Sequence, residues 1–323
     1  GNSPGGTAPP VAAAAAVAKQ KRVVAAPAAP RPITGGKTVE KLRPEAPVVL
    51  EASAPLAAVC DAMASKRTDC ALLTDSDGGL AGIVTDNDVA RKAVARELDL
   101  SATPVDRVMT RGPTCVRGAD SAVEALKLMV ANRFRHLPVL GEGGAVVGVL
   151  SIHRCLYEAI EKIEKLEASA KGSDVAESML RALAKRKGAN PKQLAKLVGP
   201  LMESLAGSSA KTLRSVLDDG RTDCLVDAAA SVRDAARTIA STRRAVLATA
   251  DGGLAGILTP KDVLNRVVAR DAATSTPLAA VMTPNPDTIA LDATLLEALH
   301  MMHDNKYLHL PVVDGDAVVG VVD

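Results

Sequence analysis

The segment GGLAGIVTDNDVARKAVAR, beginning at residue 78, returns as GGLAGILTPKDVLNRVVAR at residue 252, 174 residues further on. A repeat of this kind constrains the fold more than any single motif, because each copy must bury its apolar face in the same way. A second pair of segments keeps the same order, NRFRHLPVLGEGGAVVGVL from 132 and NKYLHLPVVDGDAVVGVV from 305. Between them, VDRVMTRGP at 105 matches LAAVMTPNP at 278. The chain therefore reads as unit A, unit B, a spacer, then A and B again.

Each unit follows one local pattern: an amphipathic helix such as SAVEALKLMVANR, a short strand HLPVL, a glycine turn, a second strand VVGVL and a following helix. Short strands alternating with helices predict an α/β (α+β) fold of small sheets packed with helices. Units of about 55 residues are marginal alone, so they are expected to pair and share a core. The expected boundaries are a tail over 1–37, units over 38–100 and 101–165, a linker over 166–211, and units over 212–272 and 273–323.

Composition then removes whole classes of function. With no Trp, one Phe and two Tyr in 323 residues, the core must be built from Val, Leu, Ile and Ala. Stacking of nucleic-acid bases on aromatic platforms is nearly excluded. A net charge of +2 gives no global attraction to a polyanion, so nucleic acid is an unexpected partner. The five cysteines are scattered without a C-x-x-C pair and read as small buried apolar residues of a reducing compartment. No apolar run reaches the roughly 18 residues that cross a bilayer, so a soluble, intracellular, cytoplasmic protein is expected.

The Thr-to-Asp spacing has a structural reading first. In AGIVTDNDVARKAV the strand ends at Thr85 and a helix follows, which places Thr85 at the N-cap and Asp88 at N3 of a capping box. Thr259 and Asp262 repeat the arrangement. Position adds a second reading. The free N–H groups of a helix start at the end of a strand attract phosphate, and a neighbouring carboxylate accepts hydrogen bonds from a ribose diol.

The signature G-h-[ILV]-[TS]-x-x-D, preceded by h-P-V and by M-T-x-x-P between units, resembles the CBS domain (cystathionine-β-synthase type), here as four units in two pairs over residues 38 to 323. The chain is most similar to plant-type proteins in which two CBS pairs precede a Phox-and-Bem-type interaction domain. TVEKLRPEAP, GIVTDNDVARK, KLMVANRFRHLPV, GILTPKDVLNRVVAR and ALHMMHDNKYLHLPV carry that similarity. The interaction domain is absent from this sequence and the last signature breaks off at Asp323, so a longer protein is expected.

The resemblance implies a non-catalytic sensor. AMP, ADP, ATP or S-adenosylmethionine would bind in clefts between paired units, as a regulatory ligand and not a required cofactor, and occupancy would control a partner protein or domain. A homodimer through the pairs is expected. Thr85, Asp88, Thr259 and Asp262 match the phosphate-side hydroxyl and the ribose carboxylate. The second unit departs, with Ser151 in place but Arg154 where the carboxylate belongs, and Asp323 occupies the threonine position of the fourth. Arg133, Arg135 and His136, with Lys306 and His309 in the fourth unit, are candidates for the phosphate end. The alternative reading of each is a solvated helix end.

His153, His300 and His303 are expected at the surface or at caps, and no metal site is expected. No Walker loop, nucleophile elbow or dinucleotide fingerprint is present, so no catalytic residue is assigned. The first 37 residues, basic and rich in Ala and Pro, read as a disordered tail, with an organelle-targeting leader as the alternative. The spacer continues as a charged helix pairing Glu158 with Lys162 and Glu161 with Lys165. It then turns basic from Arg181 to Lys196, which reads as a solvated linker or, alternatively, a nucleic-acid or membrane-surface patch. The rival to a sensor is a ligand-free CBS scaffold for dimerisation or protein interaction, with Thr and Asp only capping helices.

Overall fold

The computed structural model of the chain describes residues 37–155, 211–217 and 221–323. The tail and most of the spacer, with the leader, linker and patch readings placed on them, lie outside the described residues.

Unit 1 opens with β1 (Val49–Glu51), α1 (Leu56–Ser65), β2 (Cys70–Thr74) and β3 (Leu80–Thr85). Leu56, Val59, Cys60 and Met63 recur at i, i+3, i+4 and i+7, and all four are fully buried on one face of α1. Because α1 carries the chain back over the sheet, β1 and β2 run parallel, Val49 facing Leu72. A hairpin with Gly78 at φ +78° returns β3 antiparallel, Ile83 facing Leu72. After β3, α2 (Asp86–Asp88) loosens into a π-helical turn at Val89–Ala93 and tightens into a 3-10 turn at Val94–Arg96, closed by Glu97 in the left-handed region. A local helix pattern does not announce this change of pitch.

The linking segment adds β4 (Thr110–Arg111) to the first sheet. Unit 2 is β5 (Val116–Arg117), α3 (Ala122–Ala131), β6 (His136–Leu140) and β7 (Val146–Ser151). The second half repeats the scheme with β8 (Leu225–Asp227), α4 (Val232–Thr242), β9 (Val246–Ala250), β10 (Gly253–Leu258) and α5 (Pro260–Asp262), then a π turn at Val263–Val267. The chain continues through β11 (Thr283–Pro284), β12 (Ile289–Ala290), α6 (Leu295–Asn305), β13 (Leu310–Asp314) and β14 (Ala317–Val322). Four small mixed sheets result, ordered β1-β2-β3-β4, β5-β6-β7, β11-β10-β9-β8 and β12-β13-β14. The expected architecture of small sheets with helices is the one observed.

Close approach explains why the repeated glycine and the repeated Met-Thr travel together. A Cβ on Gly82 would collide with the Met109 sulfur and lie 3.0 Å from the Thr110 carbonyl oxygen. Gly256 meets Met282 and Thr283 in the same way. The bare backbone of β3 and β10 thus lets the linking segment dock as an added strand.

Three cores join the units. Cys70, Leu72 and Ile83 of the first sheet pack with Cys115, Leu140 and Val149 of unit 2. Cys224, Leu247 and Ile257 meet Val321 in the second pair. The largest core crosses between the pairs: α4 packs on the turns Val89–Ala93 and Val94–Arg96, and α1 packs on Val263–Val267. Units 1 and 3 thus share a core within one chain. The lead-in segments swap sides as well. Thr38 bridges Ser121 and Val39 is buried in the core of unit 2, while Thr212 bridges Thr294 and Leu213 is buried in that of unit 4.

Cys60, Cys70, Cys115 and Cys224 are buried, Cys155 is half-buried, and none is in a disulfide. Burial pushes the Cys60 and Cys70 thiols up to about 12, which makes them unreactive packing groups.

Leu264 is fully buried in the inter-pair core. Leu264→Ala is expected to cost about 2–5 kcal/mol. Urea denaturation checks this, and a loss well under 1 kcal/mol would show that units 1 and 3 do not depend on each other.

Candidate functional site

Both Thr-x-x-Asp stretches form complete capping boxes. The Thr85 N–H and hydroxyl donate to Asp88 Oδ2 at 3.1 and 2.9 Å, and the Asp88 N–H donates to Thr85 Oγ1 at 3.2 Å. The other oxygen, Asp88 Oδ1, lies 2.7 Å from Lys92 Nζ, which also donates to the Val108 carbonyl at 2.8 Å. At Thr259 the same bonds to Asp262 Oδ2 measure 2.9 and 2.7 Å, with the Asp262 N–H donating back to Thr259 Oγ1 at 3.2 Å. Arg266 Nε lies 3.3 Å from Asp262 Oδ1, and the guanidinium donates to the Val281 carbonyl at 3.0 Å. Each carboxylate therefore ties its helix start to a cation one turn on, and that cation ties the helix to the linking segment.

The surroundings separate the two copies. Thr259 and Asp262 line a cavity of about 730 Å³, within the range of small-molecule sites. Thr85 and Asp88 line neither this cavity nor a smaller one in the first pair. The large cavity lies where residues of all four units converge. Unit 3 supplies Thr259, Pro260, Lys261 and Asp262, and the linking segment after it supplies Thr283, Asn285, Pro286 and Asp287. From unit 4 come Lys306, Tyr307, Leu308 and His309. The first pair closes the far side with Asp69 and Asp86 of unit 1 and Arg135, His136, Ser151, His153 and Arg154 of unit 2.

Of the basic candidates, Arg135, His136, Arg154, Lys306 and His309 are brought together with Ser151 at this cavity. Arg133 is not; it sits exposed at φ +55° in the turn after α3. His153, half-buried at the start of the helix that follows Ser151, also lines the cavity, which the expectation of a surface or cap position does not include. His303 lies in α6 with Nδ1 3.1 Å from Asp304 Oδ1, away from the cavity. Among the described residues no group of three or more His, Cys, Asp or Glu is arranged to hold a metal ion. Asp69, Asp86 and Lys261 were not singled out in the sequence. The signal for Asp86 and Lys261 is a charge inversion inside the repeat, where Asp86-Asn87 in the first copy stands against Pro260-Lys261 in the second.

That inversion has a contact. Lys261 Nζ lies 2.8 Å from Asp69 Oδ1, joining unit 3 to unit 1. Arg135 donates to Asp323 Oδ2 at 2.9 Å, joining unit 2 to unit 4, and His309 Nδ1 stands 3.7 Å from the same oxygen. Burial and the adjacent Asp69 push the Asp86 carboxyl up to about 7, although Asp86 keeps part of its surface toward the cavity. Burial pushes His136 and His309 down to about 4, and lowers His153. These rings are held neutral beside the cations Arg135 and Lys261.

The smaller cavity, about 100 Å³, lies among residues 45–47, 67–70 and the strands of unit 2. It is too small for a nucleoside. Arg154, standing where the repeat elsewhere has aspartate, pairs with Glu45 at 3.4 Å.

Comparison with known proteins places these features in a family. The CBS domain profile matches residues 39–95, 105–161, 221–269 and 278–323. The CBS domain-containing protein CBSCBSPB3 of Arabidopsis thaliana is 38% identical over 292 residues, covering 90% of this chain and 51% of the relative. The Meiotically up-regulated gene 70 protein of Schizosaccharomyces pombe is 31% identical over 282 residues, covering 80% of this chain and 38% of the relative. The chain thus spans about half, or less, of the length of these curated relatives. Among solved structures, protein MJ1225 from Methanocaldococcus jannaschii superposes with a TM-score of 0.60 at 14% identity, over 88% of this chain and 96% of that one. The CBS domain protein PAE2072 from Pyrobaculum aerophilum, solved in complex with AMP, is 29% identical and covers 42% of this chain and all of its own, with a TM-score of 0.36.

The Asp86 carboxyl supplies a pH prediction. Its folded value of about 7 lies above the ordinary 3.8, so the native state holds this proton more tightly. The resulting stability is complete below the ordinary value and is lost as pH rises through about 7. Asp86→Asn is therefore expected to be more stable than the parent at pH 8, by at most about 4 kcal/mol, with the difference shrinking toward zero as pH falls to 4. Urea midpoints across that range test it, and a pH-independent difference would contradict it.

Proposed function

The chain belongs to the CBS-domain family, and from that premise we propose that it is a non-catalytic regulator whose second pair binds an adenosine derivative. The observation that carries the reading is the cavity of about 730 Å³ on which Thr259 and Asp262 open. It offers the helix-start hydroxyl and carboxylate that a ribose and its phosphate need, with Lys261, Lys306 and Arg135 within the same walls. The capping box does not conflict with this role. Asp262 is already oriented by its own N-cap and by Arg266, so it meets a diol without first being ordered.

The ligand class is AMP, ADP, ATP or S-adenosylmethionine, and occupancy controls a partner protein or a further domain. In the first pair, Thr85 and Asp88 are proposed as a half-site of the same chemistry, subordinate to the second pair because neither lines a described cavity. Ser151 and Arg154 serve the phosphate side only, since Arg154 offers no acceptor to a ribose. The homodimer proposed for paired CBS units concerns a second chain. Within one chain, units 1 and 3 already supply a pair-to-pair contact.

One observation favours a second reading. One oxygen of Asp88 and of Asp262 is held by its own N-cap and the other by a cation one turn on, as a ligand-free scaffold for assembly requires. Calorimetric titration with the four adenosine derivatives separates the two. Loss of a charge-assisted hydrogen bond costs about 1.5–3 kcal/mol, so Asp262→Ala is expected to weaken binding roughly 10- to 150-fold. Asp88→Ala is expected to matter less. Equal heats in the parent and Asp262→Ala would remove the site, and no binding at all would leave the scaffold.

A further inference from the structure

The cavity gathers more titratable groups than a nucleoside needs. Asp86 and Asp69 come from unit 1, His136 and His153 from unit 2, and His309 from unit 4. His309 is only 10% exposed, and its Nδ1 has no hydrogen-bond partner although the ring lines the cavity. Arg135, Arg154, Lys261 and Lys306 are the cations of these walls, and the first three are engaged with Asp323, Glu45 and Asp69 respectively. An anion entering here meets Arg135, Arg154 and Lys261, each held by a carboxylate, and rings that carry no charge. It gains a full complement of donors when protons enter with it.

We infer that the four-unit junction binds an anionic, phosphate-bearing ligand together with protons drawn from solvent, so that occupancy responds to both ligand and pH. The inference rests on the proposed nucleotide site and states how that site is regulated.

The neighbours of each group fix the sign. Asp86 faces Asp69, Arg135 and Lys261, and accepts the Asn87 N–H at 2.7 Å. With its carboxyl near half-protonated at neutral pH, an added negative charge favours the protonated form. His136 faces Asp69, His153, Arg135 and Lys261, while His309 faces Asp323, Arg135, His153 and Asp69. A phosphate among them favours imidazolium over the neutral ring. Every change is toward proton uptake, so affinity falls as pH rises, by up to about tenfold per pH unit for each proton taken up. These groups interact closely, and the uptake belongs to the cluster and not to one residue. Binding also frees Asp69 and Asp323 from Lys261 and Arg135, which ties occupancy to the contacts between the two pairs.

Isothermal titration of the whole chain at pH 6.5 to 8.5, in buffers of different ionisation enthalpy, counts the protons. AMP, adenosine and pyrophosphate are the probes. Asp86→Asn, a near-isosteric change, and the double variant His136→Gln with His309→Gln are compared with the parent. Ionisation of the probe itself cancels in that comparison. The parent is expected to take up more protons per AMP than either variant and to lose AMP affinity several-fold more steeply with pH. Adenosine is expected to show no such uptake. Equal proton counts in the parent and both variants, with AMP bound, overturn the inference and leave the nucleotide site standing. Pyrophosphate binding with uptake but no AMP binding overturns the nucleotide reading alone. Failure of both anions to bind overturns both.

Discussion

The apolar contact between units 1 and 3 governs the rest of the structure. Leu56, Met63, Val89 and Val94 on one side meet Ile239, Val263, Leu264 and Val267 on the other, all in one continuous core. With almost no aromatic residues, this interface is a close fit of aliphatic side chains, and its strength comes from the number of contacts and not from any anchor. It also sets the location of the charge. Once the helices of units 1 and 3 are packed, the strand ends of all four units point to one junction, and polar side chains from every unit face the same cavity.

Much of this was legible in the sequence, for local reasons. HLPVL emerged as the strand His136–Leu140, and the Thr-x-x-Asp spacing emerged as two capping boxes. Period and capping act within one turn or one strand, so they survive any tertiary arrangement. The glycine and the Met-Thr motifs were legible as signatures, but the reason they occur together, a sulfur lying against a bare strand, needed three dimensions.

What stayed hidden depended on which units meet. Thr85-Asp88 and Thr259-Asp262 are the same local motif with the same internal bonds, yet only the second borders the large cavity. The difference lies in neighbours drawn from other units. The cavity face of His153 is hidden for the same reason: its environment is made by groups as distant in sequence as Lys261 and Asp323. The π turns at Val89–Ala93 and Val263–Val267 were hidden by a different effect, since VARKA and VLNRV satisfy an α-helical pattern as well as a wider one.

The swapped lead-in segments set the size of the piece that can be cut from this chain. Thr38 is bridged to Ser121 and Thr212 to Thr294, so the crossing of each lead-in to the far unit recurs along with the repeat. A single unit cut out at its sequence borders would leave its neighbour without Val39 or Leu213 at the centre of a core. The smallest piece that keeps each lead-in with the core it fills is the interlocked pair, and the repeat spacing of 174 residues is the spacing of two such pairs.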